Sequence, residues 1–265
     1  NSNNDGIKYV YTYDNNGNRI SAEKMTVPGD SIFVKLGIYE DSDTSVASKD
    51  YYTYNELNQL MSVRSIGDSR NYRYAYLPNG LSYYKTDGTN YDYMYYDGDQ
   101  ICARATNEYN AFTHYYVFGL NRIKDNYGSH YVYNSHGDIT KITNANGAVV
   151  RSYDYDAFGV EKDESSTDLN PFRYCGEYYD TETGNIYLRA RYYDPSIGSF
   201  ITEDPARDET NWYSYCGGNP VNRWDPSGKI TQDEIDMFEN GEMAPMAYTY
   251  LMNLTYQWLL ANTQE

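Results

Sequence analysis

Seven times within the first 160 residues a short pattern returns. An aromatic residue precedes Asp or Asn, a turn with Gly or Asn follows, and an aliphatic residue opens the next strand. Tyr13–Ile20 is the cleanest copy, followed by Tyr54–Leu60, Tyr76–Leu81, a shortened Tyr96–Ile101, a degenerate Val117–Ile123, Tyr133–Ile139 and Tyr155–Val160. Later anchors stand about 20 residues apart, too short a period for a four-stranded propeller blade of about 40 residues. The gap from Tyr13 to Tyr54 is twice as long, so a copy there is degenerate or replaced by an insertion.

The local chemistry of the unit is that of a hairpin. Asn-Gly and Asp-Gly supply the positive φ that tight turns need. Alternation puts Tyr72, Tyr74 and Tyr76 on one face of a strand, and Tyr91, Tyr93 and Tyr95 on one face of another. One hairpin is marginal alone, but hairpins stacked edge to edge pair each other's backbones and bury a shared face. The expected fold is therefore mainly β: antiparallel hairpins stacked into an elongated, curling sheet. Composition agrees. Tyr contributes 35 residues, against 7 Phe and 3 Trp, in a chain whose apolar fraction is only 40%. Tyr favours strands and buries a large ring while its hydroxyl finds a partner. A Tyr face serves packing between hairpins or, alternatively, stacking on glycan.

A net charge of −17 argues against a nucleic-acid surface and against an anionic membrane. No run of 18 apolar residues is present to span a bilayer. Cys102, Cys175 and Cys216 are odd in number and widely spaced, which excludes a disulfide framework and leaves room for one bridge at most. With His114, His130 and His136 scattered, neither a metal site nor a cofactor site is expected, and His130 and His136 read as surface residues flanking a hairpin. Strand pattern begins almost at once without an initiator Met, so the chain reads as a piece of a longer protein.

The next segment is more specific. Asn170–Asp180 reads NPFRYCGEYYD; Thr183-Gly184 and Tyr187–Pro195 (YLRARYYDP) follow, then Gly198–Pro205 (GSFITEDP) and Asn219–Gly228 (NPVNRWDPSG). Together with the repeats, these motifs resemble the Rhs family of YD-repeat proteins and its repeat-associated core. That family includes polymorphic toxins, toxin-complex C subunits and wall-associated proteins. The resemblance covers residues 1–228. It implies a YD-repeat sheet over 1–160, a core plug over 161–228, and the start of a variable C-terminal region over 229–265. It also implies that the repeats form part of a hollow β-shell that is secreted or lies at the cell surface. Such a shell encapsulates and delivers a C-terminal effector. The implied partners are that effector region and an N-terminal remainder of the shell, because 160 residues of repeats do not close one. The alternatives are a carbohydrate-binding adhesion module, with cell-surface glycan as partner, and a self-cleaving core.

For self-cleavage, relatives resemble aspartyl proteases. Matching their motifs residue by residue places the carboxylates at Asp204 and Asp225 and the cation at Arg191, with the bond near Gly228 and Lys229. Two close carboxylates cannot both ionise readily, so one keeps a proton for the carbonyl while the other activates water. Relatives that cleave usually carry Leu where this chain has Lys229, which implies an intact or slowly cleaved chain. The neighbouring acids most readily confused with the pair are Asp194 and Glu203. Both motif aspartates can equally be turn formers, with Arg191 a structural ion-pair partner.

Beyond Gly228 the pattern turns helical. Thr231 and Glu234 form a capping box. The spacing predicts helices over 232–239 and 246–261, the second burying Leu254 and Trp258.

Overall fold

The computed structural model describes residues 6–27, 45–66, 71–109, 111–165, 167–205 and 211–229. The expected helices over 232–239 and 246–261, with Leu254 and Trp258, lie outside them. The chain divides into two compact units, Asn1–Tyr74 with Lys85–Asn90, and Ala75–Tyr84 with Tyr91–Glu265.

In the first unit, β1 (Gly6–Tyr13), β2 (Arg19–Val27), β3 (Ser45–Tyr54) and β4 (Leu60–Ile66) pair antiparallel in chain order, and β4 pairs with the start of β5 (Asn71–Tyr76). Val63 stands opposite both Tyr52 and Tyr72, and these three with Leu60 and Tyr74 are buried. Because β2 pairs directly with β3, no repeat is lost between Tyr13 and Tyr54. The extra length is an insertion between Val27 and Ser45.

In the second unit, β6 (Ser82–Thr86) is shared at its start. β7 (Tyr91–Asp97), β8 (Gln100–Thr106), β9 (Phe112–Phe118), β10 (Arg122–Asp125), β11 (His130–Tyr133), β12 (Ile139–Thr143) and β13 (Val149–Ser152) pair antiparallel in chain order. A second antiparallel sheet holds β14 (Tyr178–Asp180), β15 (Asn185–Leu188), β16 (Arg191–Asp194) and β17 (Ser199–Phe200). Every residue of β15 and β16 is buried. Tyr174, Ile186, Leu188, Tyr193, Phe200, Tyr215 and Cys216 form its core, with the rings of Tyr193 and Tyr215 stacked 4.0 Å apart. Helix among the described residues is confined to two 3-10 turns, Tyr174–Gly176 and Cys216–Gly218.

One five-residue turn recurs, and it explains why the repeat needs Asp or Asn. In Asp14–Asn18 the Asp14 Oδ1 accepts hydrogen bonds from the amides of Asn16 and Asn18, both at 2.9 Å. Gly17, at φ 75°, donates its N–H to the Asp14 carbonyl. Asn55, Asn134 and Asp156 do the same at their turns. So do Asp125 and Asn144, which no Tyr precedes and which the sequence pattern therefore passes over. A bulge precedes several of these turns, at Thr12/Tyr13, Thr53/Tyr54 and Val132/Tyr133, which sharpens the local twist.

The Tyr of the unit has a separate job. Its hydroxyl donates to the carbonyl of the residue just past the turn of the preceding repeat. Tyr54 reaches Arg19 at 3.0 Å, Tyr96 reaches Ser82 at 2.5 Å, Tyr133 reaches Arg122 at 2.8 Å and Tyr155 reaches Ile139 at 3.0 Å. Burial pushes the Tyr133 phenol up to about 12 and raises those of Tyr54, Tyr96 and Tyr155 as well. All four therefore stay protonated donors at physiological pH.

Within the second unit the segment from Phe158 to Tyr193, which carries most of the second sheet, is fastened to the repeat strands at several points. The Arg122 guanidinium lies 3.1 Å over the Phe172 ring and donates to the Gly176 carbonyl. The Ser82 amide donates to the Tyr187 hydroxyl, and the Tyr193 hydroxyl donates to the Phe158 carbonyl.

Candidate functional site

The three residues singled out by motif meet in the second unit, although 34 positions separate the outer two. Arg191 opens β16. Its Nη2 lies 3.2 Å from Asp204 Oδ2 and 4.0 Å from Asp225 Oδ2. The remaining nitrogens are used as well: Nη1 donates to the Trp212 carbonyl at 3.1 Å, and Nε donates to the Gly228 carbonyl at 2.5 Å. The guanidinium plane lies 3.6 Å from the Phe200 ring. All three residues are buried, each at most 5% exposed.

Asp225 uses its two oxygens differently. Oδ1 accepts from the Ser227 amide and hydroxyl, both at 3.0 Å, from the Gly228 amide at 2.8 Å and from the Lys229 amide at 3.3 Å. That oxygen is a turn former of the kind the repeats use. Oδ2 instead faces Arg191 and, through it, Asp204. Burial pushes the Asp225 carboxyl up from 3.8 to about 6; Arg191 and the Ser227 and Gly228 hydrogen bonds oppose the rise. Desolvation dominates because a carboxylate loses more by leaving water than one distant cation returns.

Gly228 is held tightly. At φ 68°, a Cβ there would stand 2.2 Å from the Leu188 carbonyl oxygen. The Ser227 carbonyl accepts from the Ala190 amide, and Arg189 donates to the Pro226 carbonyl at 2.5 Å. Lys229 is half-buried. The bond between Gly228 and Lys229 thus has its carbonyl on Arg191 and its amide on Asp225. Asp194 and Glu203 lie in other contacts: Asp194 caps the Ser196 turn at 2.6 Å and 3.0 Å, and Glu203 accepts from the Tyr213 hydroxyl.

A family model, the teneurin YD-shell, matches residues 1–220. The chain belongs to the YD-shell family. The YD-shell match takes in Arg191 and Asp204 and ends before Asp225. Among curated proteins, the tRNA3(Ser)-specific nuclease WapA of Bacillus spizizenii is 32% identical over 255 residues, covering 84% of this chain and 11% of the relative. The toxin protein Tse5 of Pseudomonas aeruginosa is 36% identical over 69 residues, 25% of this chain and 5% of that protein. This chain spans 9–11% of the length of the three WapA proteins it matches. Among solved structures, the TcdB2-TccC3-Cdc42 complex overlays 83% of the chain with a TM-score of 0.53 at 20% identity, using 13% of that chain. The Photorhabdus luminescens Tc holotoxin pore gives 0.54 at 20% identity over 83% of this chain and 13% of its own. At that identity the likeness shows the fold alone.

One expectation needs correction. His130 and His136 are half-buried rather than surface residues. The β11–β12 turn is folded onto the segments around Tyr174 and Trp224, and His136 sits between Asp138 and those two rings. Of the disulfide left open by the sequence there is none: all three cysteines are free. The Tyr faces are partly in mutual contact, Tyr83 and Tyr84 with Tyr93 and Tyr84 with Tyr91, at centroid separations of 5.6–6.5 Å. No helix among the described residues is long and apolar enough to cross a membrane.

Proposed function

We propose that this YD-shell segment forms a closing stretch of shell wall with its plug, and that the polypeptide beyond Gly228 is an effector enclosed and delivered by the shell. On this reading the shell is secreted or displayed at the cell surface, and its partners are the rest of the wall and the effector. The toxin and nuclease names among the relatives support it. The observation that carries it is local: the chain leaves the plug through a buried point, with Gly228 clamped between Leu188 and Arg191. A tail meant for solvent has no need of such an exit. The test is limited proteolysis of the full-length parent. Residues after Lys229, which offer Phe238, Tyr248, Tyr250, Tyr256 and Trp258 to chymotrypsin, should resist that protease at least tenfold longer in the whole protein than when expressed alone, because cleavage tracks the open population. Equal susceptibility would refute enclosure.

A second reading concerns the same residues. With Asp225 protonated and Asp204 ionised beside Arg191, water can attack the Gly228 carbonyl carbon. Asp204 takes the proton from that water, Arg191 stabilises the developing oxyanion, and Asp225 protonates the Lys229 nitrogen as the C–N bond breaks. The products are a Gly228 carboxylate and a Lys229 amine. The arrangement of Arg191 on the carbonyl and Asp225 on the amide of one bond favours this reading.

A further inference from the structure

The turn between β11 and β12 brings His136 and Asp138 against Cys175, which lies in the first 3-10 turn 39 positions away from His136. Their donor atoms all lie within 4.8 Å of one another. His136 Nδ1 is 3.0 Å from Asp138 Oδ1 and 3.8 Å from Cys175 Sγ. A thiolate, an imidazole and a carboxylate are the donors zinc takes in proteins, with metal–ligand bonds of about 2.0–2.3 Å. Three donors converging at this spacing are what such bonds require.

The surroundings orient each donor. His136 Nε2 lies 3.3 Å from the Arg223 carbonyl oxygen, which can only accept, so Nε2 carries a proton. Nδ1 then turns its lone pair toward Asp138 Oδ1, another acceptor. Two lone pairs at that distance need a cation or a second proton between them. Asp138 is fixed from both sides: Oδ2 accepts from Asn134 Nδ2 at 2.8 Å, and Oδ1 also accepts from the Cys175 amide at 2.9 Å. Cys175 is held with φ at 51°. An imidazole anchored through its second nitrogen to a carbonyl, beside a hydrogen-bonded carboxylate, is how the outer partners of metal ligands are usually arranged. A His–Asp ion pair would satisfy the first two residues and leave the sulfur only long contacts, 3.8 Å each, to His136 Nδ1 and the Tyr215 hydroxyl.

We propose that His136, Asp138 and Cys175 bind one zinc ion, which clips a turn of the wall to the plug. On binding, a Zn–S bond forms, the S–H bond breaks and its proton passes to solvent; the ion's double charge balances the thiolate and the carboxylate. Three protein donors leave a fourth position for water. Through the Arg223 carbonyl, and through the Trp224 ring 6.3 Å from His136, the clip would also steady the segment that leads to Asp225.

The test strips the full chain with a chelator and titrates it with Co2+, then with Zn2+. One Co2+ per chain should bind with a sulfur-to-cobalt charge-transfer band, and Zn2+ should displace it. Cys175→Ser should abolish the band, Cys102→Ser should keep it, and His136→Ala should weaken binding at least tenfold, in line with losses seen when metal-site residues are removed. X-ray absorption on the zinc-loaded wild type, independent of any variant's folding, should show one sulfur at about 2.3 Å and lighter scatterers at about 2.0 Å. Failure to take up metal, a sulfur-free shell, or a band that survives Cys175→Ser in a folded protein would overturn the proposal.

Discussion

Arg191 Nε donates a 2.5 Å hydrogen bond to the carbonyl oxygen of Gly228, so the guanidinium that faces both buried aspartates also grips the backbone just before Lys229. Removing it unbalances three groups at once. Arg191→Met should destabilise the second unit by about 3–5 kcal/mol, the cost of leaving buried charge without its partner. Denaturant unfolding followed by Tyr fluorescence measures it, and a loss under about 1 kcal/mol, the range of exposed pairs, would show the contacts to be dispensable.

Asp225 supplies a pH dependence of definite sign. Its folded value, about 6, exceeds its ordinary 3.8, so the folded state holds the proton more tightly than the unfolded chain does. That stabilisation is complete below about pH 4 and is lost as pH rises through 6, on the order of 3 kcal/mol for a shift of this size. Asp225→Asn should flatten the wild-type decline between pH 4 and 7. Curves that run parallel would place the titration elsewhere.

The cleavage reading needs a protonated Asp225, so any break at Gly228–Lys229 should be about tenfold faster at pH 5 than at pH 7, following the protonated fraction. Lys229 makes slow turnover the expected outcome. Intact mass measured over days gives the rate, and Asp204→Asn and Asp225→Asn should each stop it. A chain that stays whole at both pH values leaves the two aspartates as positioning groups only.

Glycines separate strain from clash. Gly147 has φ 79° with nothing within 4 Å of a would-be Cβ, so Gly147→Ala should cost about 1 kcal/mol. Gly159 has φ 94° with the Tyr174 ring 2.6 Å from that position, and Gly228 meets a carbonyl at 2.2 Å. Substituting Ala at either should cost about 3 kcal/mol or more, because packed neighbours must also move. Equal losses at all three sites would contradict the crowding.

The hydroxyl ladder is tested by Tyr155→Phe and Tyr133→Phe. Each should lose about 1 kcal/mol, with up to 3 if the carbonyl left behind stays dry. Tyr109→Phe, at a ring 58% exposed, should change stability little.

Much of this was legible in the chain because it is local. Asn-Gly and Asp-Gly announced the hairpins, and the motif around Asp204 and Asp225 announced residues that do converge. The turns at Asp125 and Asn144 carry no preceding Tyr to mark them in the sequence, because the turn itself needs only the side-chain acceptor and a residue with positive φ. His136 looked superficial because nothing near it in sequence predicts Cys175; their meeting is a tertiary contact across 39 positions. The doubled gap after Tyr13 was ambiguous for the same reason, since strand pairing alone shows that β2 and β3 are neighbours.

The four tyrosine hydroxyls of the ladder each address a main-chain oxygen, and that of Tyr96 meets Met94 Sδ at 3.7 Å as well. A main-chain oxygen is the same whatever residue bears it. A copy of the unit can therefore be duplicated, deleted or exchanged by recombination, and its new neighbour will still offer the acceptor its tyrosine requires. Sheet length in such a protein is free to drift by whole repeats, without coordinated substitutions at every join.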